Sequence, residues 1–190
     1  GCDPAEDAEQ VCRSLLGSRF LPGGVGGADL PEEYFDAVVL NFCLEHMAEP
    51  RPATARVRRL LRPGGVVLIR VPNVDAALAG VRGALFQLRV PVHCAFYGRR
   101  SLRTLLESEG LEVLEVATPP SLLEGVSTAC GWAPALDVEG WMHRPGTPTS
   151  VLRGVALGLL ALAAMPAASG RCRRGHGTVL HAAARRPPES

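Results

Sequence analysis

A carboxylate beside an imidazole, Glu45-His46, is the pair in this chain best equipped for acid–base work. His46 could act as general base for a substrate hydroxyl, because an imidazole titrates near neutral pH and can take and return a proton. The plainer reading is that Glu45 and His46 orient their own loop by hydrogen bonds. His93, inside Val90-Pro91-Val92-His93-Cys94-Ala95-Phe96-Tyr97, is a second imidazole able to take a proton, against the plainer reading of a packed or solvated loop residue. His143, His176 and His181 have no partner at a meaningful spacing and receive no role. Asp3 offers different chemistry. An acid at the C-terminal end of a strand can accept hydrogen bonds from both hydroxyls of a ribose, and the same acid can simply cap the helix that follows. Asn41 and Phe42 leave a strand at its C-terminal end, where open α/β sheets place their ligands.

Six cysteines stand at 2, 12, 43, 94, 130 and 172, none in a CxxC spacing, which argues against a structural zinc site. Their wide spacing, with no leading signal peptide, fits free thiols in a reducing compartment, the cytoplasm. The 190 residues allow one ordinary domain, and 47% hydrophobic residues suffice for one sizeable core. The 20 basic and 19 acidic residues leave a net charge of +1, without the basic excess of a general nucleic-acid binder. Every basic residue is a scattered arginine and Ile69 is the only isoleucine, a pattern that codon bias in a GC-rich genome explains better than chemistry does.

These residues need elements to hold them. Ala5, Ala8, Val11, Cys12, Leu15 and Leu16 keep helical spacing from Pro4 until Gly17, with Asp3 as the expected cap and Pro4 suited to the first helical position. A weak strand at 18–21 and a glycine- and acid-rich loop at 22–33 follow. Phe35-Asp36-Ala37-Val38-Val39-Leu40 is nearly continuous in apolar character, as in a strand buried on both faces. A helix over 51–61 stops at Arg62-Pro63-Gly64-Gly65, and Gly65 opens a second buried strand at 66–71. Ser101 is read as the cap of a helix closed by Gly110, with strands at 111–116 and 178–184 beyond it. Strands alternating with helices predict an α/β fold with a mainly parallel sheet. In the apolar stretch 151–168, Arg153 and Pro166 leave a run too short for a bilayer of about 30 Å, so a buried or capping helix is expected and no membrane span. Membrane contact is the minor alternative.

In order and spacing the chain resembles the class I S-adenosylmethionine-dependent methyltransferases over 1–118, with 178–184 as a recognisable last strand. The resemblance is carried by Gly1-Cys2-Asp3-Pro4, by Asp29-Leu30-Pro31 followed by Phe35-Asp36-Ala37-Val38-Val39, by Leu44-Glu45-His46, and most specifically by Leu61-Arg62-Pro63-Gly64-Gly65-Val66-Val67. It implies a Rossmann-like, mainly parallel sheet with helices on both faces and an antiparallel last strand. The strand at 36–41 should then lie beside 66–71, with 178–184 inserted antiparallel between 66–71 and 111–116. It implies S-adenosylmethionine as cofactor, with Asp3 on the ribose and Pro4 against the adenine. Gly26 or Gly27, through backbone groups, or the nearby Asp29 would meet the adenine amino group, and Asn41 and Phe42 the methionine part. His93 would fall in the lid over the substrate. Some relatives, the ubiquinone-pathway O-methyltransferases and the small-RNA 3′-terminal methyltransferases, carry a Glu-x-x-Glu-His metal motif. Here its first position is Phe42, one oxygen ligand is lost, and no metal is expected, since a hard divalent ion needs several oxygens.

The family's first strand and glycine-rich turn would precede Asp3, and the glycines at 23–27 follow no strong strand and open no helix. The expectation is an N-terminally truncated single domain over 1–190, its first strand missing, which alone binds S-adenosylmethionine poorly. Residues 119–177 are expected to form a variable helical insertion. Within it Leu152, Val155, Leu159 and Leu162 should supply the main apolar face of a helix over 151–164, and Trp132, Trp141 and Met142 could line a pocket or the core. The activity expected of the intact protein is methyl transfer to a small-molecule or glycan-like acceptor by in-line displacement, which leans on orientation. The alternatives are a non-catalytic methyltransferase-like partner module and a dinucleotide-linked oxidoreductase, the latter disfavoured by the absent glycine fingerprint.

Overall fold

The computed structural model describes residues 1–81, 91–121, 124–126, 128, 129 and 148–189, with 148–154 as backbone alone. Trp132, Trp141, Met142, His143, Cys130 and the side chain of Leu152 lie outside the described residues. Strand β1 (Cys2–Asp3) leads through helix α1 (Glu6–Leu16) to β2 (Leu21–Pro22), and the two strands pair in parallel as a small sheet of their own. The rest of the chain supplies β3 (Phe35–Asn41), α2 (Pro50–Leu60), β4 (Leu61–Pro72), the short α3 (Val74–Leu78), α4 (Arg99–Ser108), β5 (Glu112–Ala117), α5 (Pro148–Arg173) and β6 (Val179–Arg185).

The larger sheet has the order β3-β4-β6-β5. Strands β3 and β4 are parallel, while β6 runs antiparallel between β4 and β5. This is the arrangement the family resemblance implies, a Rossmann-like sheet with one reversed strand. Helices α2 and α4 lie against one face. Val57 and Leu60 from α2 and Leu102 and Leu106 from α4 close over Leu40, Val67, Ile69, Val71 and Leu180 in one core. Leu102 is fully buried. Truncating it by Leu102→Ala is expected to cost about 2–5 kcal/mol from lost burial and the cavity left behind. The check is a lower urea midpoint at unchanged slope, and a loss under about 1 kcal/mol would show that this side of the sheet is not closed.

Three local departures from the sequence reading have physical reasons. Leu61-Arg62-Pro63-Gly64-Gly65 is not a free turn; it belongs to β4, where a register shift opposite Phe35 and Ala37 takes up the extra residues. Gly64 sits at φ +79, and a Cβ on Gly65 would lie 2.9 Å from the Arg62 carbonyl and 3.0 Å from that of Phe35, so backbones approach there as only glycine permits. Helix α4 starts at Arg99 behind Gly98, and Ser101 works from inside the first turn, where its Oγ accepts the Gly98 N–H at 3.0 Å. Strand β3 is covered on one face only among the described residues: Leu40 is buried, but Val39 is 62% exposed and its β4 neighbour Leu68 is 46% exposed.

Helix α5 runs through Pro166 without interruption. The face expected to be its apolar contact is the outward one, with Val155, Leu159 and Leu162 exposed. The buried stripe is Leu157, Ala161, Ala164, Ala168 and Cys172. Close approach explains the reversal. A Cβ on Gly125 would sit 2.6 Å from the Ala161 carbonyl, so small residues let α5 and the helical residues 124–126, 128 and 129 touch backbone to backbone. Val155–Arg173, 19 residues, is long and apolar enough by length and composition to cross a membrane, because the proline does not end the helix as the sequence reading assumed.

Candidate functional site

The candidate side chains gather where β3 ends. Asn41 closes the strand, and its Oδ1 accepts a hydrogen bond from Arg70 Nη1 on β4 at 3.2 Å. Phe42 then turns the chain at φ +52, a left-handed conformation that a bulky side chain rarely adopts. Its N–H donates to the Arg70 carbonyl at 2.9 Å, and its ring lies 5.2 Å from the Arg70 guanidinium. Arg70 had no role in the sequence reading; the signal was an arginine inside an otherwise apolar strand. Its Nε is buried with no hydrogen-bond partner. His181 on β6, paired opposite Arg70 of β4, is pushed below its ordinary pKa by burial, with the Arg70 charge adding.

A 3-10 turn, Leu44–His46, comes next. Leu44 is fully buried and anchors the turn, and Glu45 is carried in with it at 1% exposure. Neither carboxylate oxygen of Glu45 has a hydrogen-bond partner, so this acid does not orient its loop through its side chain as expected. Its backbone does. The Glu45 carbonyl accepts N–H bonds from Cys94 at 2.8 Å and Ala95 at 3.1 Å, tying the 91–97 segment to the turn. His46 meets the loop-orienting expectation, with Nδ1 3.1 Å from the Val92 carbonyl. The two imidazoles, His46 and His93, come together edge to face with ring centres 4.7 Å apart. Burial raises the Glu45 carboxyl above its usual range, the backbone and His46 opposing. Tyr97 lies under the same turn, its hydroxyl pushed up to about 12 by burial and by the Glu45 charge.

Asp3 ends β1, and its Oδ1 accepts the Ala5 N–H at 2.8 Å. Helix α1 begins at Glu6 with Ala5 in the cap position, so Asp3 makes a local turn and is not the helix cap. The Cys43 thiol is raised chiefly by burial, with the Asn41 carbonyl opposing and the charges of Glu45, Asp3 and Cys2 adding. Asp3 therefore lies within electrostatic range of the turn after β3, although β1 and β3 belong to different sheets. Pro4 is exposed beside it. Gly26, Gly27 and Asp29 are exposed in a loop that Val25 and Leu30 anchor to the main core. No atom lies within 4 Å of a Cβ built on Gly26 or Gly27, so neither glycine is required by a close contact in this structure.

These groups could hold the two ends of an adenosyl-amino acid. At one end Asp3 Oδ2, uninvolved in the local turn, can face ribose hydroxyls. At the other, the Arg70 guanidinium and the Asn41 amide, bonded to each other at 3.2 Å, are groups of the kind that could meet a charged amino-acid moiety.

Residues 3–116 match the model of a methyltransferase domain family. Over 81 residues the chain is 33% identical to the uncharacterized methyltransferase Rv0089 of Mycobacterium tuberculosis, a match that takes in 43% of this chain and 39% of that protein. The chain thus spans well under half the length of this curated relative. A methyltransferase solved in complex with the Trm112 methyltransferase activator of Haloferax volcanii superposes with a TM-score of 0.61 at 16% identity, covering 98% of this chain and 71% of that one. A Mesorhizobium loti S-adenosylmethionine-dependent methyltransferase gives 0.59 at 13% identity, over 98% and 79%. The [4+2]-cyclase SpnF gives 0.57 at 20% identity, over 100% and 66%. At such identities the likeness speaks for the fold, and one fold can host several chemistries. The family match, which runs from the acid ending β1 into β5, is what assigns the chain to the class I S-adenosylmethionine-dependent methyltransferase family.

Proposed function

We propose that this chain serves methyl transfer from S-adenosylmethionine to a small-molecule or glycan-like acceptor. The observation that carries the reading is the family match over residues 3–116, which takes in both Asp3 at the end of β1 and the Asn41–Glu45 turn after β3. In this reading Asp3 holds the ribose, Pro4 packs against the adenine, and backbone groups of Gly26 and Gly27 or the side chain of Asp29 meet its edge. Asn41, Phe42 and Arg70 hold the amino-acid end. When bound, S-adenosylmethionine supplies an electrophilic methyl carbon on a sulfonium whose leaving group is neutral. The chain's residues then have to orient more than to activate. A hydroxyl acceptor also loses a proton, and His46 and His93 are the imidazoles at this rim that can hold it. The five described cysteines are free thiols, which supports a cytoplasmic location.

The experiment is transfer of labelled methyl from S-adenosylmethionine by the natural gene product carrying these residues, against a panel of hydroxylated small molecules and oligosaccharides. Label should enter at least one member of the panel, and S-adenosylhomocysteine should accumulate in equal amount. Incorporation confined to protein or nucleic acid would overturn the acceptor class.

A further inference from the structure

We propose that Glu45, His46 and His93 form a binding site for a divalent cation of the zinc class. Their ligand atoms, one carboxylate oxygen and two imidazole nitrogens, lie within 4.8 Å of one another. The second, independent observation is the Glu45 carboxylate itself, 1% exposed with both oxygens unpartnered. A carboxylate buried without a partner is costly, and a cation is one of the few groups that offsets the cost.

The surroundings are built as ligand shells are. His46 Nδ1 lies 3.1 Å from the Val92 carbonyl, a bond that requires the proton on Nδ1 and leaves the Nε2 lone pair for an ion. The Glu45 carbonyl, by accepting the Cys94 and Ala95 N–H groups, fixes the strand of chain that carries His93 against the turn that carries the other two. A zinc ion with bonds of about 2.0–2.1 Å needs donors about 3.4 Å apart. The donors, within 4.8 Å of one another, must draw in to that spacing as the ion binds.

The donor set chooses the metal. Two imidazoles and one carboxylate, with a fourth position open, suit zinc or a similar borderline ion. Magnesium and calcium want about six oxygens, and with Phe42 in place of a second acid only one side-chain carboxylate is here. Glu45-His46 alone offers too few oxygens for a hard ion, and the third donor comes from 47 residues further along the chain. With an ion bound, the rings act as ligands in place of bases. Ion binding is measured without turnover, so this inference stands or fails apart from the acceptor reading.

The test is equilibrium titration of the natural gene product with cobalt(II), a spectroscopic stand-in for zinc. Expected is saturable uptake of a single ion with visible ligand-field bands and no thiolate-to-cobalt charge-transfer band. Zinc should displace the cobalt and excess magnesium should not. His46→Ala and His93→Ala should each abolish the bands while the far-ultraviolet circular dichroism is retained, and Glu45→Gln should weaken binding. Absence of saturable uptake overturns the proposal whatever the variants do. So does a thiolate band, which would place the ion on cysteines such as the exposed Cys43 and Cys94. Displacement by magnesium, or unchanged bands in both histidine variants, would overturn it as well.

Discussion

Glu124→Ala is expected to remove about 3–5 kcal/mol of stability, enough to unfold a chain of ordinary stability or leave it barely folded. Glu124 is 1% exposed, and its Oε1 accepts three hydrogen bonds at the start of β6: from the Thr178 N–H at 2.6 Å, the Thr178 hydroxyl at 2.9 Å and the Val179 N–H at 3.3 Å. Arg171 of α5 stands 4.0 Å from the other oxygen and donates to Thr128 Oγ1 at 2.6 Å. Thr118 at the end of β5 donates to the Cys172 carbonyl at 2.7 Å, and Asn73 beyond β4 donates to the Gly175 and Gly177 carbonyls at 3.1 and 2.7 Å. One buried carboxylate thus joins helical residues before α5 to the reversed strand. Alanine leaves backbone N–H groups buried without acceptors and Arg171 without its counter-charge. Urea or thermal unfolding measures the loss. Glu124→Gln, which keeps the shape and an acceptor oxygen, should lose less than alanine; equal losses would mean that the carboxylate charge beside Arg171, not hydrogen bonding to β6, is what Glu124 contributes.

The second large effect is on cofactor binding. Asp3→Ala is expected to weaken S-adenosylhomocysteine binding by about 1.5–3 kcal/mol, roughly 10- to 100-fold, the worth of hydrogen bonds to a charged group. Alanine also removes the 2.8 Å bond from the Ala5 N–H, which could disturb the start of α1. Asp3→Asn separates the two contributions, since its amide oxygen keeps the local turn while the charge is gone. Weak binding in both variants, with circular dichroism unchanged, assigns Asp3 to the ligand. Normal binding in Asp3→Asn assigns it to the turn alone.

Much of this architecture was legible in the residues. The Phe35–Leu40 run and the Arg62-Pro63-Gly64-Gly65 signature identified neighbouring strands, and the family likeness carried the sheet order through to the antiparallel β6. The buried side of α5 was not legible. Apolar periodicity ranks leucine and valine above alanine, whereas the contact with Gly125 is so close that alanines make it and the larger residues face outward. Nor was the state of Glu45. Composition shows an acid next to a histidine; only the fold shows that Leu44, sinking into the core, takes the carboxylate with it. His93 reaches His46 because backbone bonds to Glu45 bring its loop there, and no spacing rule connects residues so far apart in sequence. Arg70 stood without a role in the strand at 66–71, and only the fold shows it as the partner of Asn41.

The central claim is that the rim formed by Asp3 and the turn after β3 binds an adenosyl-amino acid. Calorimetric titration of S-adenosylhomocysteine into the natural gene product carrying these residues tests it most directly. Expected is saturable one-site binding that Asp3→Ala weakens roughly 10- to 100-fold and that Arg70→Ala also weakens. No detectable binding, or binding that neither substitution changes, would contradict it.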